Sequence, residues 1–202
     1  MVTSAGMSTP NPILTHRIIH RGRKFDFEMV RIERLGRKPL DREFVRHPGA
    51  VVVVALLEQP STPPRLVMIR NTRWALAPKG QPPEVIYECC AGTLERDGHG
   101  QTEDPAHCAA RELIEETGYA AANLTSLGWF FTTPGMTDER MHAFVATGLS
   151  YVGQKLEEDE SIDVELIDLP RVWAMIDSGE LRDAKSMLAI SLAHRRGLLP
   201  AG

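Results

Sequence analysis

A helical segment from about residue 105 to residue 117 constrains the fold of this chain more than any other feature of its sequence. At about 100° per residue, one sector of that helix holds three carboxylates: Glu112, Glu115 and Glu116. Four apolar side chains point roughly the other way: Ala106, Ala110, Leu113 and Ile114. We therefore expect one face of the helix to pack against a core and the other to carry out chemistry.

The ends of this helix are marked by residues that suit them. Asp104 is a good N-cap, and Pro105 fits the first helical position, where a missing N–H costs nothing. Gly118 stands where helices commonly end in the left-handed conformation. The sequence therefore predicts a helix from Pro105 to Thr117.

The three glutamates need compensation for their mutual repulsion. Like charges at these spacings destabilise an isolated helix by about 0.2–0.5 kcal/mol per pair, and Arg111 can offset only part of that cost. Oxygen ligands without an accompanying His or Cys favour Mg²⁺ or Mn²⁺ over zinc, and such ions usually meet a substrate through its phosphate oxygens. The cluster thus predicts a site for Mg²⁺ or Mn²⁺ used in phosphate chemistry.

Length and charge narrow the class of protein. With 202 residues, 43% of them hydrophobic, the chain can form one compact domain plus extensions. Its net charge is −4 and its basic clusters are short, so we expect no nucleic-acid partner. The first twelve residues lack the apolar core of a signal peptide, and no apolar stretch approaches the roughly 20 residues that span a bilayer. We expect a cytoplasmic protein without a membrane partner.

The cysteines support a reducing compartment. Cys89, Cys90 and Cys108 are odd in number and have no metal-binding spacing, so the sequence predicts buried, unreactive thiols.

Strand signals surround the helix on both sides. Residues 18–33 alternate well enough for two short strands about Gly22, and residues 49–57 form an apolar, β-branched strand that we expect to be buried on both faces. Further strands are predicted at 65–70, 85–90, 127–131, 141–147 and 162–169. Residues 91–103 read as an irregular loop, because they are rich in Gly and charge.

Two helices are predicted after the last strand, at 170–177 and 182–195. We expect the second to bury a side that includes or adjoins five residues: Met187, Leu188, Ile190, Ser191 and Leu192. The order of strands and helices favours an α/β class fold, an α/β/α sandwich with a mixed central sheet and an N-terminal β-extension. We expect a flexible tail at 1–12, N-terminal β-strands at 13–48 and the main domain at 49–198.

An ordered set of residues around the marked helix resembles the Nudix box. The set is Gly92, Glu103, Arg111-Glu112-Leu113, Glu115-Glu116, Gly118 and Tyr119. Seven residues separate Glu103 from Arg111, as in that family. The chain departs from the pattern in the ten residues between Gly92 and Glu103, where about five are usual, and in Tyr119, which replaces an aliphatic residue. Nudix enzymes hydrolyse a nucleoside diphosphate linked to another group.

Four segments outside the box are similar to the ADP-ribose and nucleoside-diphosphate-sugar pyrophosphatase branch. They are residues 21–23 with 46–51, residues 69–74, residues 133–139, and residues 157–164 with 182–185. The resemblance implies a pyrophosphatase that cleaves ADP-ribose or a related nucleotide sugar to a nucleoside monophosphate and a sugar phosphate. It also implies a homodimer in which the N-terminal strands reach across to the partner.

The resemblance assigns roles to the box residues. Glu112 and Glu116 would be metal ligands, Glu115 a ligand directly or through water, and the carbonyl of Ala91 one more. Arg111 would orient a nearby glutamate through paired hydrogen bonds. Glu103 would anchor the loop to the helix or pair with Arg111.

An acidic run, residues 157–160, stands where related pyrophosphatases have a loop that carries the catalytic base. We assign the base to Glu158 and an extra metal ligand to Glu160, which would share one side of an extended segment. Asp159 is an alternative base, and a solvated acidic turn is the alternative for the whole run.

Substrate contacts are assigned to residues elsewhere in the chain. Arg46 and Arg73 are candidates for phosphate or ribose, and Gly135 and Met136 lie in a turn that would cover the terminal sugar. Trp74 or Phe25 could stack on a base, although core packing is the stronger expectation for Trp74.

Two other functions compete with the ADP-ribose reading. Residues 87–92 are also similar to the branch that acts on UDP-sugars. A sensor that binds nucleotide sugars without hydrolysis is the alternative from a different class.

Overall fold

The structure is a computed structural model that describes residues 14–34, 36–156 and 161–200. The backbone divides into two compact units. The smaller contains the described residues up to His47 together with 133–138, and the larger contains 48–132 and the rest of the chain from 139.

The described residues form ten strands and three helices. The strands are β1 (Leu14–Arg21), β2 (Asp26–Ile32), β3 (Leu40–Arg46), β4 (Ala50–Gln59), β5 (Thr62–Arg73), β6 (Glu84–Glu88), β7 (Cys90–Thr93), β8 (Tyr119–Phe131), β9 (Arg140–Tyr151) and β10 (Ile162–Asp168). The helices are α1 (Pro105–Thr117), α2 (Leu169–Ser178) and α3 (Ala184–Arg195), and a 3₁₀ turn spans Trp74–Leu76.

The smaller unit contains an antiparallel sheet of β1, β2 and β3. The predicted strand pair about Gly22 is confirmed, and the Gly22 N–H donates to the Phe25 carbonyl at 2.8 Å where the chain turns. β3 was not predicted, because its sequence is mostly charged. Its ladder with β2 runs without a break from Leu40, opposite Ile32, to Arg46, opposite Asp26, so strand pairing overrides a weak local signal.

The larger unit contains a mixed sheet in the order β10-β5-β4-β9-β8, with β6 beside β5 and β7 beside β4. β4 and β9 run parallel, while the other pairs are antiparallel. The first eight residues of β4 are buried, which confirms the expectation of a strand covered on both faces.

Helices cover both faces of this sheet. On one face, Val51 and Val53 of β4 cluster with three residues of α1: Cys108, Ala109 and Leu113. On the opposite face, Val52 and Val54 cluster with residues of α2 and α3: Val172, Met175, Ala189, Ile190 and Ala193. The alternation of side chains along β4 therefore serves two cores, and the predicted α/β/α sandwich with a mixed central sheet is confirmed.

Several local expectations are corrected. β8 begins at Tyr119, eight residues before the predicted strand, because its ladder with β9 extends over a small and polar segment. β7 includes Ala91 and Gly92, which pair with β4, so the irregular loop begins later than predicted. Within that loop Arg96 and Thr102 form a β-bridge, and Asp97 accepts bonds from two backbone N–H groups.

The buried stripes of two helices are shifted from the predicted ones. In α1 Ala106 is exposed, whereas Cys108, Ala109 and Leu113 are buried. In α3 Leu188 is 41% exposed, and the buried residues are Ser186, Ala189, Ile190 and Ala193. Small residues such as Ala and Ser let a helix approach the sheet closely. A prediction that looks for large apolar side chains does not identify such a face.

The thiol prediction is confirmed for all three cysteines, which are free and buried. Burial raises the pKa of Cys89 to about 12 and also raises the pKa values of Cys90 and Cys108, so the protonated form dominates. In the described part of the chain, no helix has the length and apolar character needed to cross a bilayer.

Two helix-ending glycines provide a matched test of how α1 is held. Gly118 and Gly179 have φ of 76° and 75°, but a Cβ on Gly118 would lie 2.7 Å from Tyr151 Cε2, whereas none of the described atoms approaches one on Gly179 within 4 Å. Both Ala variants carry a left-handed backbone penalty of about 1 kcal/mol or more. We expect Gly118→Ala to lose a further 1–3 kcal/mol or so by overpacking, measured by urea unfolding. Equal losses would show that the close approach at Gly118 does not matter.

Candidate active site

Helix α1 is held at both ends as predicted. The Asp104 side chain accepts hydrogen bonds from the backbone N–H groups of Ala106 and His107, at 2.9 and 3.1 Å. At the other end Gly118 is left-handed, and its N–H donates to the Ile114 carbonyl. Capping fixes the two ends of the helix, and the burial of Cys108, Ala109 and Leu113 against the sheet sets the direction of the glutamate face.

Arg111 is the centre of an ion-pair network on α1. Its Nη1 lies 2.8 Å from Glu115 Oε2 and 2.9 Å from Glu112 Oε1. Its Nε and Nη2 donate to the two oxygens of Glu103, at 3.2 and 3.0 Å. Burial alone would lower the pKa of Arg111, but these carboxylates outweigh it and raise the pKa. One guanidinium therefore offsets the repulsion among the carboxylates of Glu103, Glu112 and Glu115.

Glu103 connects the inserted loop to the helix. Besides Arg111, it accepts a bond from the Glu95 N–H at 3.3 Å and lies 3.0 Å from His107 Nδ1. Burial would raise the pKa of Glu103, but the bonds from Arg111 outweigh it and hold the pKa below its ordinary value of 4.5. The sequence left two roles open for Glu103, to anchor the loop or to pair with Arg111. In the structure Glu103 does both.

Two further contacts, made by Glu116 and Glu112, join α1 to β7. Glu116 is only 4% exposed, and its Oε2 accepts a hydrogen bond from the Ala91 N–H at 2.9 Å. The Glu112 carboxyl lies against Gly92, where a Cβ would stand 1.9 Å from the Glu112 carboxyl carbon. A side chain at position 92 would therefore require the Glu112 carboxylate to move. Glu116 and Glu112 thus contact β7, whereas Glu115 pairs with Arg111.

The chemistry of these donors suits a hard divalent cation, because they are carboxylates next to a main-chain segment. Within the ranges that the structure describes, no three His, Cys, Asp or Glu side chains stand at the spacing of a metal site. Glu112 and Glu115 are instead paired with Arg111. The donor set fits such an ion, and binding would require these two side chains to rearrange.

Arg73 is paired with a buried carboxylate that was not singled out from the sequence. At the end of β5, Arg73 donates from Nε and Nη2 to the two oxygens of Glu88, both at 2.5 Å. Glu88 is fully buried and also accepts a bond from Lys185 of α3. A glutamate inside a mostly apolar predicted strand, Val85 to Cys90, was the available signal, because a buried carboxylate requires a partner.

The remaining predicted substrate residues lie in the smaller unit. Arg46 is paired with Glu28 and lies 3.2 Å from Asp138 Oδ2. Met136 is 55% exposed, and its carbonyl accepts a hydrogen bond from the Val45 N–H at 2.9 Å. A Cβ on Gly135 would contact none of the described atoms within 4 Å.

Two aromatic expectations have different outcomes. Core packing for Trp74 is wrong, since this side chain is 72% exposed at the 3₁₀ turn that follows β5. Phe25 stacks on His47, with ring centroids 4.7 Å apart.

The predicted base Glu158, its alternative Asp159 and the predicted ligand Glu160 lie outside the described residues.

The pKa of Glu103 provides a test of the loop anchor. A carboxylate with a lowered folded pKa stabilises the protein above its unfolded pKa, and that stabilisation is lost as the pH falls through the folded pKa. We expect Glu103→Gln to lower the free energy of unfolding by about 1–3 kcal/mol at pH 7, because Arg111 loses two charged bonds. The difference from wild type should shrink as the pH falls below 4.5.

The control for this experiment is Glu95→Gln, which changes an exposed glutamate of the same loop. Urea unfolding at several pH values should leave this variant close to wild type. A Glu103→Gln loss that stays constant down to pH 3 would contradict the assigned ion pair.

Comparisons with known proteins agree with this geometry. The model of the NUDIX domain matches residues 46–189. An ADP-ribose pyrophosphatase of Bacillus subtilis is 35% identical over 91% of this chain and 92% of its own length. A methanol dehydrogenase activator of Bacillus methanolicus is 34% identical, covering 85% of this chain and 86% of its own length. A GDP-mannose pyrophosphatase of Citrobacter koseri is 32% identical, covering 66% of this chain and 69% of its own length.

A solved structure supports the fold. The crystal structure of an ADP compounds hydrolase superposes with a TM-score of 0.71 over 92% of this chain and 94% of that chain, at 21% identity. With Glu103, Arg111 and the three helix glutamates arranged as the box predicts, and the family model covering most of the chain, this protein belongs to the NUDIX domain family.

Proposed function

We propose that this protein hydrolyses ADP-ribose, or a closely related nucleoside diphosphate sugar, to a nucleoside monophosphate and a sugar phosphate. The observation that carries the proposal is the arrangement of Glu112 and Glu115 around Arg111 and of Glu112 and Glu116 against the backbone of β7. Nudix hydrolases generally use divalent metal ions, and we propose Mg²⁺ or Mn²⁺ for this chain because the donors are all oxygen.

The glutamates and one carbonyl would hold the ion or ions. Glu112 and Glu116 are the proposed direct ligands, Glu115 binds directly or through water, and the Ala91 carbonyl adds a further oxygen. When bound, a divalent ion would neutralise charge on the two phosphoryl groups. Arg111 keeps Glu112 and Glu115 close together despite their like charges, and both side chains would turn from it toward the ion.

Four residues are proposed to contact the substrate. Arg73 and Arg46 would contact phosphate or ribose, since a guanidinium offers several donors to such oxygens. Gly135 and Met136 would contact the terminal sugar. Each of these assignments is a proposal that extends the resemblance to the family.

The base would come from the acidic run that precedes β10. Glu158 would accept a proton from the attacking water. The water oxygen then bonds to phosphorus while the bridging P–O bond breaks. Glu160 would serve as an extra metal ligand, and Asp159 is the alternative base.

Two relatives guide the choice of substrate. The ADP-ribose pyrophosphatase matches over more of both chains than the GDP-mannose pyrophosphatase does, so ADP-ribose is the first choice. A UDP-sugar and GDP-mannose are the alternatives. We also propose that the protein acts as a cytoplasmic homodimer.

A product-release assay tests the proposal. The substrates are ADP-ribose, ADP-glucose, GDP-mannose, UDP-glucose, NADH and a diadenosine polyphosphate, each with Mg²⁺ or Mn²⁺. We expect one nucleotide sugar to be hydrolysed, with activity abolished by a chelator and restored by the ion. Glu116→Gln should lose rate by several orders of magnitude, because a proposed ligand that also bonds to the Ala91 N–H is neutralised.

Glu95→Gln is the control, since this exposed glutamate lies outside α1. Full activity in Glu116→Gln would contradict the proposed ligand set. Binding of a nucleotide sugar without product from the wild-type protein would instead favour the non-hydrolysing sensor.

A further inference from the structure

We propose that Glu88 and Lys185 are positioning residues that hold Arg73 in the orientation in which it binds a phosphate or ribose oxygen of the substrate. The inference rests on the proposed function, which makes Arg73 a substrate contact. It adds two residues, from β6 and α3, that lie outside the helix and loop of the box.

Glu88 fixes the plane of the Arg73 guanidinium. Two hydrogen bonds of 2.5 Å join Arg73 Nε and Nη2 to the two oxygens of Glu88, so the guanidinium can neither rotate nor tilt without losing one of them. The pair uses Nε and Nη2, so Nη1 is the guanidinium nitrogen that Glu88 does not engage. The Arg73 side chain is 40% exposed while Glu88 is fully buried, which means that the anchor is inside and the cation is accessible.

Lys185 makes this anchor stable in a buried position. A carboxylate removed from water is costly unless it is paired, and Glu88 accepts a bond from Lys185 as well as those from Arg73. Burial would raise the pKa of Glu88, but these bonds and charges outweigh it and hold the pKa below 4.5. Glu88 therefore remains charged at neutral pH and keeps its hold on Arg73.

Charge is balanced within the cluster. Lys185 lies 3.0 Å from Asp183, the N-cap of α3, so two cations face two carboxylates: Arg73 and Lys185 with Glu88 and Asp183. The carboxylate of Glu88 thus interacts with two cations, Arg73 and Lys185, instead of with Arg73 alone.

The cluster also adjoins the proposed metal site. The negative charge of Glu116 contributes to the raised pKa of Arg73, after the bonds from Glu88, which places the guanidinium within electrostatic reach of α1. A second connection is structural. Ser186 of α3 accepts a bond from the Cys89 N–H at 2.7 Å, so α3 is attached to the residue that follows Glu88. Glu88 and Cys89 are therefore both bonded to side chains of α3.

The matched control lies on the same strand. Glu84 begins β6 and pairs with Arg182 at 2.7 Å, but both side chains of this pair are more than 40% exposed. Glu84 is the ladder partner of Arg73 across β5 and β6, but its carboxylate pairs with Arg182, so Glu84→Gln removes the same chemical group beside Arg73 from a different ion pair. Exposed pairs contribute little, so this variant should behave as wild type.

The experiment compares wild type, Glu88→Gln, Arg73→Ala, the double variant and Glu84→Gln. For each, kcat and KM for the best nucleotide sugar and Kd for ADP-ribose by calorimetry are measured. We expect Glu88→Gln to lower kcat/KM and to weaken binding by about tenfold or more, with the metal concentration for half-activation unchanged. If Glu88 acts through Arg73, its substitution costs little more once Arg73 is Ala.

Chemical rescue separates positioning from a general structural role. Guanidinium ion added to Arg73→Ala can occupy the space next to the Glu88 carboxylate, so we expect it to restore part of kcat/KM. The same addition should not restore the double variant. Rescue that does not depend on Glu88, or additive losses in the double variant, would overturn the proposal.

Two further substitutions cover the case in which Glu88→Gln fails to fold. Glu88→Asp keeps the charge but shortens the side chain, and Lys185→Met removes the other cation. Each should lower kcat/KM, and wild-type values in a folded Glu88→Asp protein would overturn the positioning role. If the wild type hydrolyses no nucleotide sugar, the proposed function fails. Equal ADP-ribose Kd values for wild type and Glu88→Gln would overturn this inference on their own, whether or not turnover is seen.

Discussion

The interaction between Arg111 and the carboxylates around it determines whether the glutamate face of α1 can exist in a folded protein. Without it, Glu112 and Glu115 would face each other one turn apart, next to a buried Glu116. Because Arg111 also binds Glu103, the same guanidinium fixes the inserted loop. Loop, helix and site thus share one electrostatic support.

Local patterns accounted for most of the helices and the central strands. Asp104, Pro105 and Gly118 mark α1 through short-range chemistry that needs no knowledge of the fold, and the apolar run of β4 reveals burial on both faces. The spacing of the box residues was sufficient to bring Glu103, Arg111 and the three glutamates together. These features were predictable because each depends on neighbours in the sequence.

The features that were missed depend on distant partners. β3 and the first half of β8 are strands because a neighbouring strand supplies their ladder, and their own side chains are charged, small or polar. Glu88 looked like an ordinary glutamate, since its partners Arg73 and Lys185 are 15 and 97 residues away. Trp74 was assigned to a core because of its size, whereas the turn after β5 leaves it in solvent.

The distance along the chain between Glu88 and Lys185 has a consequence for synthesis on the ribosome. The β6 carboxylate is made early, but its α3 partner arrives only when nine-tenths of the residues have been joined. Until then Glu88 has Arg73 but lacks Lys185 in a forming interior, which disfavours closure of that part of the core. Premature termination before α3 would therefore leave a polypeptide with an intact box but an unfinished interior, a natural target for cellular proteases.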